Sequence, residues 1–184
     1  MEGNLPMRKV SLFIAMSLDG YIADKKGGVD WLNGQDSGTE TEDGYSTFIQ
    51  DVDTVLMGWN TYHQIVTQLS PDQWVYPDQT SYVFTHRQLP STDNIHFSSQ
   101  APWKILKQLK KQAGKKIWIC GGRDLIRQLM EKDLIDEYNI SVIPTILGSG
   151  IPLFHQHPEK LKLKLVHVKT YNGIVELLYE RRST

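Results

Sequence analysis

Short apolar runs recur along this chain, and two of them end on glycine directly before a helical pattern begins. Residues 51–58 (DVDTVLMG) lead into Trp59-Asn60-Thr61, and residues 116–120 (KIWIC) lead into Gly121-Gly122-Arg123. Such a run is too short for a stable helix but long enough for a strand, and contiguous apolar residues suit a strand buried on both faces of a parallel sheet. Residues 9–16 (KVSLFIAM), 81–85, 95–97 and 135–143 also read as strands. Helical patterns lie between them, over about 43–50, 61–69, 101–113 and from Gly122 to about Lys132. The third is the clearest. Pro102 suits its first turn, Trp103, Leu106, Leu109 and Ala113 recur at helical spacing, and Gly114 follows as a C-cap. Near the end, two strand-like runs flank Asn172-Gly173, a strong hairpin signal. Strand–helix–strand order closed by a hairpin predicts an α/β fold: a mixed, mostly parallel sheet with helices on both faces and a C-terminal antiparallel hairpin. Such sheets take ligands beyond the carboxyl ends of their strands, which directs attention to the loops after Met16, Met57, Thr85, Cys120 and Ile143.

Composition narrows the function classes. The length of 184 residues suits one hydrophobic core, and residues 7–184 are expected to form a single domain behind a flexible tail at residues 1–6. Twenty basic residues against twenty-one acidic ones leave a net charge of −1, which argues against the broad basic surface of a nucleic-acid binder. Cys120 is the only cysteine, so neither an intramolecular disulfide nor a cysteine-rich zinc site can form, and a cytoplasmic setting is expected. Met1 to Pro6 lacks the basic start and apolar run of a signal peptide. The uncharged stretch from Tyr138 to Phe154 is interrupted by Pro144, Gly148, Gly150 and Pro152, so no membrane partner is expected. Residues 32–42 are expected to be the most flexible part, and Tyr21–Ala23 to form a short strand.

Three loops can carry chemistry. In Gly121-Gly122-Arg123-Asp124, two glycines let the backbone approach a phosphate, and the start of a helix directs free N–H groups at it. The bland reading is a tight connection, and the pattern is not the Rossmann glycine fingerprint. In Gly58-Trp59-Asn60-Thr61 the competing reading is a helix capped by Asn60 or Thr61. Thr85-His86-Arg87 places a hydroxyl and a cation just past a strand. His155 and His157 read as surface loop and not as metal ligands, so no metal is expected. Cys120 reads as a small buried residue at a strand end.

Taken in order, SLFIAMSLDGYIA (11–23), VLMGWNTY (55–62), FTHR (84–87) and IWICGGRDLIRQL (117–129) resemble the dihydrofolate reductase superfamily. DEYNISVIPTILGSGIPLF (136–154) is similar to the reductase domain of the bifunctional riboflavin-biosynthesis deaminase-reductase and its stand-alone relatives. The resemblance spans residues 8–182. It implies a three-layer dihydrofolate reductase-like fold and NADPH as cofactor, held without a Rossmann fold. By matching position, Ala15 and Ile22 would flank the nicotinamide. Gly58, Asn60 and Thr61 would face the phosphates at one helix start, and Gly121, Gly122, Arg123, Asp124 and Leu125 at the other. Thr85 and Arg87 would meet the adenosine part. The acid that assists protonation in folate reductases would fall near Glu42 or Asp43, and Asp19 is a second candidate acid. Trp31 and Tyr21 are expected to line the substrate site. Many relatives have arginine where this chain has Trp59, and riboflavin-pathway reductases commonly have lysine where it has Tyr21.

The expected activity is an NADPH-dependent hydride transfer to a pterin-like or ribosylaminopyrimidine-like C=N substrate. The alternatives are dihydrofolate reductase proper and a non-catalytic NADPH-binding protein. A homodimer is compatible with the apolar C-terminal hairpin.

Overall fold

A computed structural model describes residues 7–38, 44–157 and 159–182. The expected tail at residues 1–6 lies outside them, as do Glu42, Asp43 and most of the end of the expected flexible stretch. The elements run β1 (Val10–Ser17), β2 (Tyr21–Ala23), α1 (Tyr45–Gln50), β3 (Val52–Gly58) and α2 (Trp59–Gln64), which continues as a π-helical turn over Ile65–Leu69. There follow β4 (Thr80–Phe84), β5 (Ile95–Ser98), α3 (Pro102–Leu109), β6 (Lys116–Gly121) and α4 (Arg123–Glu131). The chain ends with β7 (Glu137–Ile143), β8 (Ile151–Pro152), β9 (Leu163–Tyr171) and β10 (Ile174–Arg181). Among the described residues the main sheet has eight strands in the order β5-β4-β3-β6-β1-β7-β10-β9. Every neighbouring pair from β5 to β7 is parallel, and β10 runs antiparallel to both β7 and β9. This is the mixed, mostly parallel α/β sheet that the sequence predicts.

Right-handed crossovers explain why the helices divide between two faces. From β1 the chain steps one way across the sheet to β3, β4 and β5, then returns to insert β6 beside β1 and places β7 on the other side of β1. A reversal of direction sends the later helices to the opposite face. Residues alternate in the strands accordingly. Val10, Leu12, Leu56, Ile117 and Ile119 pack with Leu106 and Leu109 of α3 and Leu125, Ile126 and Leu129 of α4. The intervening residues Val55, Met57 and Trp118 pack with Phe48 of α1 and Ile65. Ile119 is fully buried, and truncating it to alanine would cost about 2–5 kcal/mol.

The structure corrects several boundaries. α3 stops at Leu109, not at residue 113, and residues 111–113 are exposed. Gly114 is therefore not its C-cap. It has φ +157°, and a Cβ there would fall 2.7 Å from Asp53 Oδ2 and 2.8 Å from Arg8 Cζ, so glycine is needed for close approach to an ion pair. α2 begins at Trp59, directly on the end of β3, two residues before the expected start. Strand β8, which pairs with β2, has no counterpart in the sequence reading, since a two-residue bridge carries no periodicity. The hairpin turn forms as expected, with Asn172 at φ 47° and Gly173 at φ 75°, both in the left-handed region that matches the strand twist. No helix among the described residues is long and apolar enough to cross a membrane.

Candidate functional site

Strands β3 and β6 are neighbours, with Met57 opposite Gly121, so the helices that follow them begin side by side. α2 has Gly58 as N-cap and α4 has Gly122, and neither helix start receives a side-chain cap. The first turn of a helix leaves its N–H groups without intrahelical partners, and the helix dipole adds about half a positive charge there. In α4 the first internal bond is donated by Ile126 to the Gly122 carbonyl, which leaves the N–H groups of Arg123, Asp124 and Leu125 free of one. The two starts converge closely. A Cβ on Gly58 would lie 3.7 Å from the Gly122 nitrogen, and Cβ atoms on Gly121 and Gly122 would lie 3.6 and 3.4 Å from the Thr61 hydroxyl. Gly121 has φ +136°, a region that excludes most side chains, and its peptide bond to Gly122 is cis. Leu125 is buried in the core, so only its backbone belongs to this rim.

Farther along the same edge, the Arg87 N–H donates to the Thr85 hydroxyl at 3.1 Å, and the Arg87 guanidinium lies over the Trp59 ring at 4.7 Å from its centroid. Trp59 is itself braced by Tyr62 and His63, with ring centroids 5.6 and 5.5 Å away. A shallow groove of about 480 Å³ opens beside this stack, lined by His86, Arg87, Gln88, Leu89, Pro90 and Phe97 among others. Asn60 is exposed on the first turn of α2. On the other side of β6, Ala15 is half-buried on β1, and Ile22 packs against the α3–α4 core.

The description "RibD C-terminal domain" belongs to the family model that matches residues 8–176. The chain belongs to that family. Among its relatives, the uncharacterized protein YwjB of Bacillus subtilis is 42% identical, the match covering 95% of this chain and 98% of that protein. A solved Shewanella sp. PV-4 protein named for riboflavin biosynthesis superposes with a TM-score of 0.83 at 28% identity, over 95% of this chain and 99% of its own. The fold is shared at longer range with a Thermotoga maritima diaminohydroxyphosphoribosylaminopyrimidine deaminase/5-amino-6-(5-phosphoribosylamino)uracil reductase, at TM-score 0.69 and 17% identity, over 96% of this chain and 57% of that one.

Within this member of the RibD C-terminal domain family, the candidate acids have different surroundings. Glu42 lies outside the described residues. The Asp19 carboxylate accepts hydrogen bonds from the Ser17 hydroxyl at 2.6 Å and from the N–H groups of Leu147 and Gly148 at 3.1 and 2.8 Å. The Ser17 hydroxyl first, and the Gly148 and Leu147 N–H groups with it, hold the Asp19 carboxyl below its ordinary range. A carboxylate so engaged ties the first loop to the loop after β7. Tyr21 donates its backbone N–H to Ser17 Oγ at 2.9 Å, and Trp31 donates its indole N–H to the Gly28 carbonyl at 3.2 Å. Burial pushes the Cys120 thiol up to about 11, with the Tyr76 hydroxyl 3.7 Å away, so the thiol is the stable form. Among the described residues, no group of three or more His, Cys, Asp or Glu is placed to hold a metal ion.

Two features of this edge escape a sequence reading. Trp59 serves as a platform for Arg87, a contact between residues on different strand ends that spacing alone cannot reveal. Glu176, on β10, is 7% exposed and accepts from the Tyr171 hydroxyl and the Gly44 N–H. In the sequence it is one acid in an alternating strand; only its parity with the core-facing residues hints at burial.

Proposed function

We propose that this chain is a reductase that binds NADPH along the carboxyl edge of its sheet and reduces a pterin-like or aminopyrimidine-like C=N bond. The observation that supports the reading most is the convergence of two uncapped helix starts on Gly58, Thr61, Gly121 and Gly122. The glycines keep the backbone open to a pyrophosphate, and the free N–H groups and Thr61 hydroxyl are the donors that such a group needs. Arg87, held over Trp59, with Thr85 beside it, supplies the cation for a 2′-phosphate, in place of the arginine that the resemblance to the dihydrofolate reductase superfamily would set at position 59. Ala15 on β1 and Ile22 on β2, both half-buried, are the two residues that the resemblance sets beside a nicotinamide ring.

When bound, the dinucleotide supplies a hydride. The chain's own contribution is to hold two flat rings face to face and exclude water between them. Asp19 keeps the β1–β2 loop and the loop after β7 together around that position. The resemblance to riboflavin-pathway reductases and the membership of the RibD C-terminal domain family support the substrate class.

NADPH oxidation against a panel of pterins and aminopyrimidines tests the activity, with turnover expected for at least one member. Gly122→Ala tests the site. Gly122 has φ −90°, and an added Cβ meets nothing closer than 3.4 Å, so the variant should melt within a few degrees of wild type without ligand. The added methyl occupies phosphate space, and NADPH affinity should fall about tenfold or more, roughly 1.4 kcal/mol. A variant that melts early yet keeps the full NADPH-dependent rise in Tm would return this loop to a mere tight turn.

A further inference from the structure

The segment that follows β2 is pinned at two places far apart in the fold. Its first turn is closed on itself. The Asp24 carboxylate accepts from the Lys26 and Gly28 N–H groups at 2.7 and 2.8 Å, and the Gly28 carbonyl accepts from the Asp24 N–H at 3.0 Å and the Trp31 indole at 3.2 Å. The Gly27 carbonyl, in the same turn, accepts from the side-chain amide of Gln64 on α2 at 2.8 Å.

The second anchor is the hairpin turn between β9 and β10. Asn172 Oδ1 accepts from the Asp36 N–H at 2.8 Å, Asn172 Nδ2 donates to the Asp36 carbonyl at 3.0 Å, and the Asn172 carbonyl accepts from the Gln35 N–H at 2.9 Å. The fit is close. A Cβ on Gly34 would fall 2.5 Å from the Asn172 carbonyl oxygen, and one on Gly173 would fall 2.7 Å from Gln35 Oε1. The turn itself asks only for positive φ, which glycine or aspartate would meet at the first position as well as asparagine. Of the three, only asparagine offers the facing residue both a donor and an acceptor.

Sheet order gives these anchors a meaning. α2 follows β3, and the Asn172 turn lies at the same carboxyl edge, because β9 runs antiparallel to β10 and β10 antiparallel to β7. Between β3 and the hairpin stand β6, β1 and β7. Residues 27–36 are thus a strap with one anchor on each side of β1, at the strand ends where such sheets take ligands. α2 packs on the sheet face that Phe13 shares, and Ala15, two residues on, belongs to that face. Trp31, half-buried, stands between the two anchors in the chain.

We infer that Asn172 is a positioning residue for the proposed reductase: it fixes the far end of a strap that borders the heterocycle. Gln64 ties the near end to the helix whose start faces the dinucleotide phosphates. The inference rests on the hydride-transfer reading, which sets the reacting rings beside Ala15. A strap left loose would have to be ordered each time the heterocycle bound, and that entropy cost would fall on substrate affinity and not on dinucleotide affinity. The competing role is architectural, in which the strap does no more than cover the hairpin turn.

Two variants of the full chain separate these roles. Asn172→Gly keeps the positive φ and removes both side-chain hydrogen bonds. Asn172→Asp keeps the acceptor for the Asp36 N–H but loses the donor. Hydrogen exchange of the Asp36 amide should be about tenfold faster or more in Asn172→Gly, with Tm within a few degrees of wild type. With whichever member of the pterin and aminopyrimidine panel the wild type turns over, KM should rise about tenfold while kcat and NADPH affinity stay near wild type. Asn172→Asp should lie between the two. Faster Asp36 exchange with an unchanged KM overturns the inference and leaves the hydride-transfer reading standing. So does unchanged exchange, which would show the strap held without Asn172. A joint loss of Tm, kcat and NADPH affinity also overturns it, and assigns Asn172 to the fold. A wild type that turns over no member of the panel overturns the hydride-transfer reading and this inference with it.

Discussion

The two ends of the parallel strands are built on opposite rules. At the amino ends, charges are matched one to another. Arg8, 6% exposed, pairs with Asp53 and donates to the Thr54 hydroxyl at 2.8 Å and the Lys115 carbonyl at 2.7 Å. Lys110 pairs with Asp136 at 2.7 Å, and Asp136 also accepts from the Val10 N–H at 2.8 Å. Burial pushes the Glu137 carboxyl up, but the hydrogen bonds from Lys9 and Lys116 outweigh it and leave the group below its ordinary range. At the carboxyl ends, the described residues leave polar groups without such partners: two helix starts with no side-chain cap, Arg87 over an aromatic ring, and Glu176 with no cation within salt-bridge distance. A fold spends matched polar contacts where it needs stability and leaves unmatched ones where a ligand is to complete them.

The largest expected effect comes from breaking the matched end. Arg8→Ala removes a buried charge and three hydrogen-bonding contacts, and should cost about 3 kcal/mol, a fall in Tm of roughly 6–12 °C for a chain of this size. The rise in Tm on adding NADPH should persist in the variant. If that rise disappeared, the two ends would not be independent, and the contrast drawn between them would collapse.

Arg87→Ala probes the unmatched end with a comparable but more selective effect. NADPH affinity should fall about ten- to a hundredfold, equivalent to 1.5–3 kcal/mol, while NADH affinity and apo Tm are unchanged. Equal losses for both dinucleotides would place Arg87 elsewhere than at the phosphate that distinguishes them.

The smallest effect concerns Asp19, whose lowered pKa fixes the sign of a pH dependence. A carboxyl held below its unfolded value of about 3.9 contributes its tie above that pH and loses it as pH falls through the folded value. The Gly148 amide resonance should therefore shift below about pH 4 in the wild type, and Asp19→Asn should lack that transition. A Gly148 resonance that titrates alike in both would show that another group holds the loop.

Much of the architecture was legible because strands buried on both faces leave contiguous apolar runs, and crossover helices leave a helical period between them. That pattern alone determined the alternation of elements, and Asn172-Gly173 determined the hairpin, since both of its residues must adopt positive φ. The helix ends were less legible. Ala113 continues the period of α3, yet the helix stops at Leu109 because the chain must pass Gly114 close against Arg8 and Asp53 to enter β6. The glycines at 58, 121 and 122 stood out singly in the sequence. Their meeting was decided by the insertion of β6 between β3 and β1, which sets residues more than sixty positions apart side by side. Trp59 under Arg87, and the burial of Glu176 against Tyr171 and Gly44, depend on the same kind of fact. Sequence patterns record which face of an element is buried, because burial is periodic along the chain; they do not record which element lies next to which, because strand order is fixed by packing across the whole sheet.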